Sequence, residues 1–91
     1  MQEKNNNDMI HNLPRLKWAC RRGMLELDVL LGNFLENGYA NLAEKDKILF
    51  IKLLQCADPE IFSWLMSQET PSDPDLATIT EIIRHHGKPG I

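Results

Sequence analysis

The side chains best placed to do chemistry lie in one short run, Trp18-Ala-Cys-Arg-Arg-Gly-Met-Leu-Glu-Leu-Asp28. A thiol beside two guanidinium groups could have a lowered pKa. No base accompanies Cys20, however, and its place on a face with Leu13 and Leu16 favours burial. Arg22 and Glu26 stand four apart, a spacing that allows a helical ion pair worth a few tenths of a kcal/mol. Gly23 between them argues against a continuous helix, and Glu preceding Arg would be the better order. Elsewhere, His85 and His86 are adjacent, so on a helix they diverge by about 100° and do not chelate one metal together. Capping the helix end suits them better. The chain contains no HExxH, no Gly-rich phosphate loop and no CxxC pair. Most carboxylates are explained as helix starts or solvated faces. No catalytic or metal site is therefore assigned, no cofactor is expected to bind tightly, and the chain reads as a non-enzyme.

Ninety-one residues make one domain with a modest core and little room for a deep substrate cavity. Hydrophobic residues at 43% and charged residues at 25% are ordinary for a globular protein. A net charge of −3 supplies no global attraction to nucleic acid or anionic lipid. No apolar run approaches the roughly 18 residues of a membrane span, so membrane insertion is not expected. Met1 to Asp8 lack the apolar stretch of a secretory signal. The expectation is a cytoplasmic bacterial protein, and Cys20 and Cys56 read as small buried hydrophobes.

The pattern predicts an all-α fold, a compact five-helix bundle over residues 11–87, with a flexible tail at 1–10 and a loose end at 88–91. The first helix spans about Leu13–Arg21, with Pro14 in its first turn and Gly23 as a left-handed C-terminal cap. The second spans about Met24–Asn37, where Leu27, Leu30, Leu31, Phe34 and Leu35 form an apolar stripe. Gly32 within it suggests close approach of a neighbouring backbone. The third starts near Asn41, with Asn41 and Glu44 at capping-box spacing. Its apolar run Ile48–Ala57 suggests a central helix. Asp58-Pro59 and Asp73-Pro74 each open a further helix, with Asp as N-cap and Pro at the first position. Ile61, Phe62, Leu65 and Met66 pack inward on the fourth. Leu76, Ile79, Ile82 and Ile83 line the fifth, and Gly87 stops it.

The elements place the charged run at a helix–helix corner. It could be scaffold. It could instead be a surface on which Arg21, Arg22 and Glu26 project, Gly23 admits a partner's backbone, and Trp18 adds a flat contact. The residues alone leave both readings standing.

The chain resembles the family of succinate dehydrogenase assembly factors, or flavinylation factors, that includes the bacterial SdhE proteins. The resemblance rests on Arg22-Gly23-x-x-Glu26, on "WACRRGMLELD", on Tyr39, and on "FIKLLQCADPEIFSWLM" from Phe50 to Met66. It covers about residues 11–87. It implies a five-helix bundle that binds the flavoprotein subunit of succinate dehydrogenase, and in bacteria often fumarate reductase too. It also implies that covalent attachment of FAD to that subunit is promoted. FAD then belongs to the client, and Arg22, Gly23 and Glu26 form the contact. Proximity adds Trp18, Arg21 and Asp28. The free protein is expected to be a monomer. Two other classes compete. The same family carries an antitoxin label, and Leu13–Arg22 has four basic residues that could serve a nucleic-acid module. Glu26 and Asp28 oppose the latter, and no nucleic-acid partner is expected.

Overall fold

The computed structural model describes residues 9–86. The expected tail over residues 1–8, the stop at Gly87 and the loose end at 88–91 lie outside them. Among the described residues, Met9 and Ile10 are helical, and five longer α-helices follow: α1 Leu13–Ala19, α2 Leu25–Asn37, α3 Glu44–Leu54, α4 Asp58–Leu65 and α5 Pro74–His86. A 3-10 turn, Tyr39–Asn41, links α2 to α3. No strand occurs among the described residues. The all-α bundle is as the periodicity implies.

The helix α2 organises the core. Leu27, Leu31, Phe34 and Leu35 are buried along one stripe, while Leu25 and Val29, off that stripe, are 77% and 54% exposed. Phe34 meets Phe50 of α3 with ring centroids 5.3 Å apart, and Tyr39 meets Phe50 at 5.4 Å. Helix α3 buries Phe50, Ile51, Leu53 and Leu54 and packs on α5, which also packs on α4. Helices α1 and α4 both contact α2. The expected tail extended to residue 10, yet Ile10 is buried and its carbonyl accepts the Tyr39 hydroxyl at 2.9 Å. Packing thus begins before α1.

Several local expectations are corrected. The close approach assigned to Gly32 occurs instead at Gly38. A Cβ on Gly38 would lie 2.8 Å from the Phe34 ring and 3.0 Å from His86 Nδ1, whereas one on Gly32 would meet nothing within 4 Å. The Asn41–Glu44 capping box does not form, because Asn41 is consumed by the 3-10 turn and Ala43 takes the N-cap position. Leu13 and Met66, expected to pack inward, are 52% and 42% exposed. His85 and His86 do lie in the last turn of α5, where His85 bonds Glu81 at 2.8 Å and His86 packs edge-on to Phe34.

Candidate docking corner

The corner between α1 and α2 is built around Arg22. The first helix ends at Ala19, two residues earlier than its basic face suggests, with Cys20 as C-cap. The cause is the Arg22 side chain. Its Nη1 donates to the Ala19 carbonyl at 2.6 Å, satisfying a carbonyl that a continued helix would have used. Gly23 is not a left-handed cap, since no described glycine has positive φ.

Arg22 does not project. Its guanidinium turns inward and donates to four acceptors. Beyond Ala19 these are the Leu54 carbonyl at 3.1 Å, the Cys56 carbonyl at 3.0 Å and Asp58 Oδ1, reached by Nε at 2.8 Å. Only 13% of the side chain is exposed. Leu54 and Cys56 lie at the α3–α4 turn, where helix-end carbonyls need donors. One residue therefore caps α1 and staples its corner to a turn more than thirty residues away. The outward fork expected from the sequence is corrected by this geometry, and the Arg22–Glu26 pair is not formed, because the guanidinium is committed inward.

Asp58 completes the staple. Its Oδ2 accepts the Gly23 N–H at 3.2 Å. It was expected as the N-cap of α4. It is instead the first helical residue, with Ala57 at the cap position and no side chain capping. The Arg22 N–H reaches Asp28 Oδ1 at 3.4 Å. Two carboxylates thus occupy two successive amides of the corner.

What remains outward is Gly23, Glu26, Arg21 and Trp18, all exposed. Trp18 is 73% exposed, and Arg21 lies over its ring at 5.8 Å while Nε stands 3.9 Å from Asp28 Oδ2. Beside them, between α1 and α2, runs an open groove of about 680 Å3. Pro14, Trp18, Val29 and Leu35 give it an apolar lining, and Lys17 and Glu36 are among the charged residues around it. An apolar patch with a charged surround is the anatomy of a protein-binding surface. Cys20 borders the groove, but burial pushes its thiol up to about 11, overriding the lowering by Arg22, and leaves it a poor nucleophile at neutral pH. Among the described residues no three metal-ligating side chains converge, and no helix is long and apolar enough to cross a membrane.

Residues 14–87 match the family described as flavinator of succinate dehydrogenase. The chain belongs to that family. It is 51% identical over 78 residues to the FAD assembly factor SdhE of Shewanella oneidensis, covering 86% of this chain and 95% of that protein. The SdhE proteins of Serratia sp. and Photorhabdus laumondii are 47% and 46% identical over 79 residues, covering 87% of this chain and 90% of each of them. These relatives are named as assembly factors, in agreement with a non-enzymatic reading. The matched span holds Arg22, Gly23, Glu26 and Asp58 alike. Asp58 escaped the sequence reading because its partners are 35 and 36 positions away. Leu25 and Val29 left a legible signal: two apolar residues, four apart, that do not belong to the α2 core stripe.

Proposed function

We propose that this chain binds the flavoprotein subunit of succinate dehydrogenase, and that of fumarate reductase, and promotes covalent attachment of FAD to the bound subunit. It acts as a monomer in the bacterial cytoplasm. The observation that carries the reading is the exposed Gly23–Glu26 corner flanked by Trp18, Arg21 and the α1–α2 groove. Gly23 and Glu26 make the contact, with Trp18, Arg21 and Asp28 at its edge. Arg22 supports that contact from behind. The chemistry belongs to the client and its flavin. The described residues are helical with no strand of a dinucleotide fold, and the contribution of the chain is to hold the client in a geometry where flavin and acceptor side chain react, a positioning effect of the kind that lowers barriers substantially.

Gly23→Trp tests the contact. A Cβ at Gly23 meets only Asp58 Oδ2, at 3.9 Å, an ordinary contact. The variant should keep its helicity and melting temperature while losing capture of the purified flavoprotein and its flavinylation, read as covalent flavin fluorescence. Trp18→Ala should weaken capture by roughly 30-fold, corresponding to about 2 kcal/mol for an aromatic anchor. Unchanged capture and flavinylation by both variants would overturn the reading.

A further inference from the structure

We propose that Asp58 is a positioning residue for client docking, because its carboxylate bridges the Arg22 side chain and the Gly23 backbone and so fixes the corner that the client meets. The proposal rests on the docking reading above and extends it to a residue outside the Arg-Gly-x-x-Glu run.

The geometry is specific. Asp58 Oδ1 accepts Arg22 Nε at 2.8 Å and Oδ2 accepts the Gly23 N–H at 3.2 Å. The carboxylate is a charged acceptor for both, and the bond to the guanidinium has the short length of a charge-assisted pair. The first turn of α4 offers amides that an aspartate could cap, yet this carboxylate reaches across to another element and α4 starts without a side-chain cap. Gly23 lies in a connector outside both flanking helices, so no helical hydrogen bond fixes its peptide plane. Asp58 supplies that restraint, and Asp28 supplies a longer one at the preceding amide. With both bonds in place the outward side of Gly23 and the start of α2, which carries Glu26, keep one orientation. Removing the carboxylate frees the corner while Arg22 still holds the carbonyls of Ala19, Leu54 and Cys56. The bundle should therefore remain folded as the docking surface loses its order.

The test compares Asp58→Ala and Asp58→Asn with wild type. Hydrogen exchange is followed at the Gly23 amide, and affinity is measured for the purified flavoprotein subunit at a temperature where every protein is fully folded. Asp58→Ala should speed exchange at Gly23 at least tenfold, leave core amides of α2 protected, and weaken flavoprotein binding at least tenfold. Asp58→Asn, which keeps an acceptor oxygen at the site, should recover part of both effects. That graded recovery is the signature of positioning, since a general loss of stability would not track one exposed amide. If Asp58→Ala frees the Gly23 amide but binds like wild type while Gly23→Trp does not bind, Asp58 has no positioning role and the docking reading survives. If Gly23→Trp and Trp18→Ala also bind like wild type, the docking reading falls and takes this proposal with it.

Discussion

Two Asp-Pro dipeptides open helices in this chain, and their carboxylates do different work. Asp73 is the local kind. Its Oδ1 accepts the Asp75 N–H at 2.9 Å, capping α5, and its Oδ2 meets Lys52 Nζ at 2.9 Å, with Asp75 joining at 3.2 Å. All three side chains are at least 37% exposed. Asp58 is the non-local kind. It leaves its own helix uncapped, is partly buried, and joins a guanidinium that also holds three backbone carbonyls. Both are ion pairs by distance. In water a flexible ammonium–carboxylate pair contributes little, whereas an arginine shielded from solvent and holding four fixed acceptors becomes costly to remove. Connectivity and burial, rather than charge, separate the two.

Deleting the staple should therefore have the largest effect. Arg22→Ala leaves Asp58 unpaired and strips donors from the ends of α1 and α3. Loss of one partner of a fully buried pair costs about 3–5 kcal/mol; this pair is partly shielded, so the lower end of that range applies, and for a domain of this size each kcal/mol moves the melting midpoint by about 4–8 °C. A drop of more than about 10 °C is expected in a thermal scan. Asp58→Ala should be milder, because the guanidinium keeps its three carbonyls. A loss for Arg22→Ala smaller than that for Asp58→Ala would invert the assignment of Arg22 as the hub.

Thr80 sharpens the point from the other side. It is 2% exposed on α5, and its hydroxyl has no hydrogen-bond partner among the described residues. Where Arg22 is largely shielded and holds four acceptors, Thr80 is buried and unmatched, and an unmet hydroxyl of this kind costs about 1–3 kcal/mol. Thr80→Val keeps the branched shape and removes the orphan. A gain of about 1 kcal/mol in urea unfolding is expected, and a loss of stability would contradict the unmatched state of the hydroxyl.

The same contrast explains what was readable in the sequence. The α2 stripe, the presence of five helices and the cap at Asp73 follow from spacing within about a dozen residues, and the structure has them. So do the exposed positions of Trp18, Arg21, Gly23 and Glu26, since a corner between helices is solvent-facing by default. The inward turn of Arg22 was not readable. Two arginines and a glycine at a helix end have a sound local account in dipole and cap, and nothing nearby reveals that Leu54, Cys56 and Asp58 offer better acceptors. Asp58-Pro59 and Asp73-Pro74 are equivalent as local patterns. Only the packing of α1 and α2 against the α3–α4 turn distinguishes them. The groove was readable only through Val29, an exposed apolar residue of its lining that fits no core stripe.

The surface cluster should give the smallest effect, and its dependence on solution conditions should set it apart from the corner. Hydrogen bonding to Asp73 and then Asp75 raises the Lys52 pKa, and the bond from Lys52 depresses that of Asp73. For Asp73, folded below unfolded, the stabilisation is present above the ordinary carboxylate value and fades as pH falls through the depressed one. For Lys52, folded above unfolded, it is present below the ordinary lysine value and fades as pH rises through the raised one. The contribution is thus flat around neutrality and is lost at both extremes. Lys52→Ala should shift the melting midpoint slightly at neutral pH and low salt. That shift should vanish in 1 M salt, where screening acts within about 3 Å, and again in acid once the pH has fallen through the depressed Asp73 value. The Arg22→Ala deficit should persist in 1 M salt, because its acceptors are mostly uncharged carbonyls shielded from ions. If both deficits shrink in parallel with added salt, the staple is a screened surface pair like the cluster, and the distinction between the two aspartates collapses.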